Sequence, residues 1–291
     1  MKTLQMQSCV HENATVECAL VEITVPEPEA DQVVVAIDAA PINPSDLGLM
    51  FGAADLSSAR AAERDGQPAL ILDVPPAAMR AMAPRIGHWM PVGNEGSGRV
   101  IGAGASAEAQ ALLGRRVGMF GGEMYAGYRC LPAQQCMAFD DSVSAEQAAS
   151  CFVNPMTALG FLETRDIEGQ KAIVHTAAAS NLGQMLHRLC AADSIPLVNI
   201  VRSEEQVELL KSMGAEWVLN SQREHYMKEL IEALTVTGAT LAFDAIGGGR
   251  GVNRILTAME IAAAQRGPWS RYGSEEPKQA YIYGQLDLSA T

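Results

Sequence analysis

The stretch Lys171–Gln206, KAIVHTAAASNLGQMLHRLCAADSIPLVNIVRSEEQ, decides the fold. The apolar run Ala172–Val174 suits a buried parallel strand. The small residues Ala177–Ser180 then let the backbone come close to a pyrophosphate, and Gly183 permits tight helix packing. A second apolar run, Pro196–Val201, completes a strand, turn, helix, strand unit, so the segment reads as a dinucleotide-binding βαβ. The fingerprint is degenerate, because alanine, serine and asparagine stand where the first two glycines of GxGxxG belong.

The end of the second strand adds chemistry. Arg202 and Ser203 stand where an NAD-binding protein carries a carboxylate for the ribose hydroxyls. A guanidinium beside a hydroxyl suits a 2′-phosphate, which predicts NADPH over NADH. One charge-assisted hydrogen bond contributes about 1.5 to 3 kcal/mol, or roughly ten- to a hundredfold in preference. The competing reading is a solvated surface arginine.

Working outward, the 291 residues, 48% of them hydrophobic, suggest two globular domains. A net charge of −13 without a Lys/Arg-rich run argues against nucleic acid or an anionic membrane as a partner. The N-terminus, MKTLQMQSCVHENATVECALVEITV, has no cationic segment before an apolar core, and no stretch reaches the length of a membrane span, so a cytoplasmic location is expected. Six scattered cysteines without a CxxC pair suit reduced thiols.

The first half, residues 1–143, reads as irregular β structure and fits a barrel-like domain. Its strands are expected at Val33–Ile37, Gly96–Ala103 and Arg116–Phe120. The Ala/Pro-rich segment between Gly52 and Pro91 reads as an excursion over the surface. From Ser144 the pattern alternates between helix and strand, opening with a cap in which Ser144 and Gln147 reciprocate. Residues 144–291 are therefore expected to form an α/β, doubly wound parallel sheet. Its strands lie at Ala172–His175, Leu197–Val201, Trp217–Leu219, Leu241–Asp244 and Ala280–Tyr283, with a helix Glu204–Met213 ending at Gly214.

Several landmarks occur in series: INPSDL at Ile42–Leu47, GNEGSG at Gly93–Gly98, NPMTAL at Asn154–Leu159, the turn described above, LLKSMGAEWVLN at Leu209–Asn220, and FDAIGG at Phe243–Gly248. In that order they resemble the medium-chain dehydrogenase/reductase superfamily, specifically its zinc-free quinone oxidoreductase-like branch. The resemblance implies a GroES-like catalytic domain with the active site in a cleft beside a Rossmann domain. It implies a small-molecule acceptor, a quinone or conjugated carbonyl, reduced by NADPH. The zinc-dependent branch has cysteine and histidine at the positions of Asn43 and Asn94; neutral amides are poor Zn²⁺ ligands, so no metal is expected.

By the same resemblance Asn43 lies near the nicotinamide. Asn154, Thr157, Ala245 and Gly284 border the cofactor, and Ala179, Ser180, Asn181, Leu182 and Gly183 form its phosphate turn with Arg202 and Ser203 beyond. Tyr125, in the glycine-flanked GGEMYAGYR, is the candidate proton donor, with Tyr128 and solvent as competitors. His175 and Cys151 read as core residues. The family continues past Ala280–Tyr283 with a sixth strand that often pairs across a dimer axis. The chain is therefore expected to be C-terminally truncated, and a homodimer when full length. An enoyl-thioester reductase and a nucleotide-binding relative without turnover are the alternative readings.

Overall fold

The computed structural model describes residues 1–287 and 289. The chain divides into two units, Met1–Val153 and the chain from Asn154 onward.

The first unit is antiparallel β structure. Strands β1 (Lys2–His11) and β2 (Thr15–Thr24) form a ten-residue-per-strand hairpin closed around Ala14, which has φ 59°. Then follow β3 (Gln32–Ala39), helix α1 (Pro44–Phe51), β4 (Asp55–Arg64), β5 (Gln67–Asp73), α2 (Pro76–Met82) and β6 (Met90–Pro91). The unit continues through β7 (Glu95–Ala103), α3 (Ala107–Leu112), β8 (Arg116–Phe120), β9 (Tyr128–Pro132), β10 (Cys136–Phe139) and α4 (Ala145–Ala149). One sheet has the order β4-β5-β2-β1-β6 and the other β10-β8-β7-β3-β9. Val33, Val35, Val100, Val117, Met119 and Leu131 fill the core of the second sheet.

The segment expected to run loosely over the surface is instead partly woven into the first sheet. β4 and β5 form a hairpin whose turn, Asp65-Gly66, has positive φ at both residues (51° and 77°), the pattern of a two-residue turn that matches strand twist. β5 pairs with β2, and beyond it Val74 and Met82 join Val10, Val16 and Val92 in a buried cluster. β4 itself is largely exposed on both faces, so its backbone pairing, not its side chains, holds it in place. Helix α4 has the expected reciprocal cap: Ser144 N–H donates to Gln147 Oε1 and Gln147 N–H to Ser144 Oγ.

In the second unit a five-stranded sheet carries β11 (Ile173–Thr176), β12 (Leu197–Val201), β13 (Trp217–Asn220), β14 (Leu241–Asp244) and β15 (Gln279–Ile282), all parallel, in the order β13-β12-β11-β14-β15. Helices α5 (Val153–Ile167), α6 (Asn181–Ala192), α7 (Glu204–Ser212), α8 (Tyr226–Thr237) and α9 (Gly251–Arg266) accompany them. Strands β11, β12 and β14 are covered on both sides, which explains their continuous apolar runs. Val174, Val198 and Ala242 face Leu230, Leu234, Ile255 and Met259 of α8 and α9. Ile173, Leu197, Leu241 and Phe243 face Phe161, Leu186 and Cys190 of α5 and α6.

The expected division after residue 143 precedes α4, which packs on β7 and β8 and stays with the first unit. Among the described residues β15 lies at one edge of the sheet, and Tyr281 stacks on Phe243 there. The expected truncation at Thr291 lies outside the described residues.

Candidate functional site

In the second unit the strand order reverses between β11 and β14, and ligands of doubly wound sheets bind at the carboxyl ends of strands flanking such a reversal. The turn after β11 is built for close approach. Ala177 takes the left-handed φ of 51° that glycine usually supplies. Ala178 N–H donates to the Ile200 carbonyl, tying the turn to β12, and Ser180 caps α6 by accepting from Gly183 N–H at 3.2 Å. Gly183 is required: a Cβ there would lie 2.1 Å from the Ala178 carbonyl oxygen.

Among the described residues the N–H groups of Asn181 and Leu182 have no protein acceptor. They open a twelve-residue helix whose dipole favours negative charge at this end. The turn is thus chemically able to hold a diphosphate.

Arg202 is exposed at the end of β12, and its N–H donates to Gln206 Oε1. Ser203 Oγ caps α7 by accepting from Gln206 N–H at 3.3 Å and keeps its own proton to donate. Glu204, the nearest carboxylate in sequence, is engaged elsewhere: Arg223 donates to both its oxygens at 2.8 and 2.5 Å and Asn220 Nδ2 to one at 2.7 Å. Those bonds hold its carboxyl down to about 2. Arg223 was not singled out by the sequence reading.

Across the reversal, Asp244 Oδ1 accepts from Thr176 Oγ1 and its Oδ2 from Gly247 N–H, both within 2.8 Å. The Ala245 N–H donates to Thr176 Oγ1. The structure brings Ala245 and Gly284 together: a Cβ on Gly284 would sit 2.5 Å from the Ala245 carbonyl, so this glycine is explained by its own chain. Asn154 and Thr157 lie on α5. Thr157 lines a cavity of about 450 Å³ with Phe161, Phe243, Tyr281 and Tyr283. His175 is fully buried, with Nε2 2.8 Å from the Tyr283 hydroxyl, in keeping with a core histidine.

In the first unit Asn43 precedes Pro44 at the start of α1 and is 4% exposed. Two fully buried carboxylates organise it. Asp46 accepts from the backbone N–H groups of Asn43 (2.8 Å) and Asn94 (2.9 Å). Glu95 Oε1 accepts from Asn43 Nδ2 at 3.0 Å, and its Oε2 accepts from the N–H groups of Phe152 and Val153 at 2.9 Å each. Asn94 Nδ2 donates to Ser45 Oγ at 2.9 Å. Both asparagine amides therefore present nitrogen to an acceptor, a donor set that does not fit zinc. Among the described residues no group of three or more His, Cys, Asp or Glu is arranged to hold a metal ion.

Tyr125 belongs to the same neighbourhood. Its hydroxyl donates to the Pro41 carbonyl at 2.9 Å, and burial, with Asp46 and Glu95 nearby, pushes the phenol well above its ordinary range. Burial and the Glu95 charge raise the Cys151 thiol to about 11, which disfavours a nucleophilic thiolate. Asp46, Glu95, Thr176 and Asp244 escaped the sequence reading as site residues. The only signals for them were an Asp three residues after Asn43 and acidic residues inside the GNEGSG and FDAIGG motifs.

Fold and site together define an α/β unit with a doubly wound parallel sheet, preceded by an antiparallel β unit. Residues 182–264 match the family described as zinc-binding dehydrogenase. The chain is 30% identical over 234 residues to a mitochondrial enoyl-[acyl-carrier-protein] reductase of Caenorhabditis elegans, covering 76% of this chain and 57% of that protein. It is 24% identical over 159 residues to a quinone oxidoreductase of Pseudomonas aeruginosa, covering 54% of this chain and 49% of the relative. A solved structure from Mesorhizobium loti, named as an NADPH:quinone reductase, superposes with a TM-score of 0.71 at 25% identity, over 100% of this chain and 76% of the other. These likenesses are consistent with the medium-chain dehydrogenase/reductase superfamily. The chain spans about half the length of curated relatives it matches, 57% of the worm protein. Among the described residues no helix is long and apolar enough to cross a membrane.

Proposed function

We propose that the chain is an NADPH-dependent oxidoreductase that reduces a quinone or conjugated carbonyl without zinc. The observation that carries this is the phosphate turn with its two open N–H groups at α6, followed at the β12 tip by Arg202 and Ser203 in place of a carboxylate. Asn181 and Leu182 would hold the pyrophosphate, with Ala179 and Gly183 keeping the backbone low. Arg202 and Ser203 would hold the 2′-phosphate. The Ala245–Gly284 contact and residues Asn154 and Thr157 would border the nicotinamide.

Bound NADPH supplies the hydride, and the acceptor takes one further proton, giving hydroquinone or saturated carbonyl and NADP⁺. The protein's share is positioning and polarity. Tyr125 remains the tyrosine candidate for the proton, although its bond to Pro41 must first break and its raised pKa makes release costly. Solvent is the simpler donor.

A second reading, reduction of an enoyl thioester, is favoured by the identity to the worm reductase. Titration with NADPH and NADH, with and without Arg202→Ala, tests the cofactor. The substitution is expected to weaken NADPH binding roughly ten- to a hundredfold and to leave NADH nearly unchanged. Turnover with a quinone panel beside crotonyl-CoA separates the acceptors. No binding of either nucleotide would overturn the proposal, and binding without turnover would leave a nucleotide-binding protein.

A further inference from the structure

A 2′-phosphate brings about two negative charges to the tip of β12, so a carboxylate within a Debye length of that tip opposes it. The chain places one there. Glu204 follows Arg202 by two residues, which keeps their Cα atoms within about 7.6 Å of each other. With Glu205 it occupies the first turn of α7, where the helix dipole favours acidic side chains.

The partner that engages Glu204 comes from the next strand. β13 ends beside β12, with Asn220 opposite Val201. Beyond it the chain folds back: Gln222 N–H donates to Asn220 Oδ1 at 3.0 Å, and Arg223 N–H to the Asn220 carbonyl at 3.1 Å. That turn brings Arg223 to the start of α7. Its Nε donates to Glu204 Oε1 and its Nη2 to Glu204 Oε2, a fork-to-fork pair, and the buried Asn220 adds a third bond at Oε1. Asn220 satisfies an oxygen but cancels no charge; only Arg223 does that. The Arg202 guanidinium is left without a hydrogen-bond or ion-pair partner among the described residues.

We infer that Arg223 is a specificity-determining residue: by clamping the Glu204 carboxylate, it removes the charge that would oppose a 2′-phosphate at Arg202 and Ser203 or capture Arg202 itself. This deepens the proposed reading of NADPH as the cofactor and rests on it. An exposed ion pair adds little to stability. Here its consequence is local, because it makes the acidic opening of α7 compatible with a phosphate.

The test is calorimetric titration of the full chain and of Arg223→Met with 2′,5′-ADP and 5′-AMP, which represent the adenosine ends of NADPH and NADH. In low-salt buffer, one uncompensated carboxylate about 7 Å from the phosphate is expected to weaken 2′,5′-ADP binding roughly fivefold. Binding of 5′-AMP is expected to stay within about twofold. Adding Glu204→Gln removes the freed carboxylate, so the double variant returns to within about twofold of the wild type. Added salt narrows the gap between wild type and Arg223→Met, because screened charges no longer meet. Unchanged 2′,5′-ADP affinity in Arg223→Met overturns the inference. So does a loss that Glu204→Gln fails to rescue, which would make Arg223 a direct phosphate contact. An equal loss for 5′-AMP also overturns it, since the clamp would then be merely structural. The cofactor reading fails on a different result: a wild type that binds 2′,5′-ADP no more tightly than 5′-AMP, which takes the inference down with it. A preference present in the wild type and intact in Arg223→Met sinks the inference alone.

Discussion

Thr176 and Asp244 join the ends of β11 and β14: the threonine hydroxyl donates to Asp244 Oδ1 at 2.6 Å and accepts from the Ala245 N–H at 2.8 Å. Both residues are buried, so neither the carboxylate nor the peptide N–H can turn to water instead. This hydroxyl spans the reversal of strand order at which a dinucleotide would sit, and it sets the height of Ala245 against Gly284. Thr176→Val keeps the shape and removes both bonds. Two buried groups left unsatisfied at about 1 to 3 kcal/mol each predict a loss of roughly 3 kcal/mol, read from the urea midpoint. A loss under about 1 kcal/mol would mean that solvent reaches the clip.

Ala177 is expected to gain from glycine where its neighbour does not. The left-handed region costs an L-residue roughly 1 to 2 kcal/mol, and Ala177 occupies it at φ 51°. Ala177→Gly and Ala178→Gly add the same freedom to the unfolded chain, so their difference isolates the folded-state strain. The first should be more stable than the second by at least about 1 kcal/mol in paired thermal melts, helped by the loss of the buried Ala178 methyl. Equal midpoints would show that the turn relaxes without cost.

Gly183 is the opposite case. Its missing Cβ would strike backbone, the Ala178 carbonyl oxygen at 2.1 Å, so no side chain can swing aside. Gly183→Ala must lift α6 from the turn. Overpacking of this kind costs about 1 to 3 kcal/mol, and the open N–H groups of Asn181 and Leu182 move with the helix. Nucleotide binding by the folded variant should weaken at least tenfold, as followed by nicotinamide fluorescence. Full affinity would show that the phosphate turn is not at α6.

Much of the second unit was legible because a parallel sheet buried on both faces writes itself as apolar runs: LVNIV and LAFD mark β12 and β14 to the residue. The first unit was harder. β1 and β2 went unread because β1 turns Gln5 and Ser8 inward beside Cys9 and Val10, breaking the alternation by which a half-buried strand is recognised. β4 carries almost no pattern, since DLSSARAAER is exposed on both faces. At the candidate site, the tight turn after β11 was visible in its small residues. The bonds from Glu95 and Asp46 to Asn43 were not, because the inward direction of a carboxylate depends on donors that arrive from distant segments, such as Phe152 at 2.9 Å from Glu95.

His175 should give the fold a specific acid sensitivity. Burial lowers its pKa from 6.5 to about 4, while its Nε2 meets the Tyr283 hydroxyl and its ring lies against those of Phe161 and Tyr283. Between those two values the unfolded chain binds a proton that the folded chain refuses. Stability therefore falls as pH drops through 6.5 and stops falling from this cause below about 4. The full difference corresponds to roughly 3 kcal/mol. Above pH 7 the residue contributes no slope. His175→Gln keeps a hydrogen-bonding group at Tyr283 and removes the titration, so its unfolding free energy should vary less between pH 7 and 4 than that of the wild type, by about the same amount. Carboxylates acting in this range affect both proteins alike and cancel in the comparison. Parallel pH curves for the two would show that His175 takes up its proton in the folded state as readily as in the unfolded one.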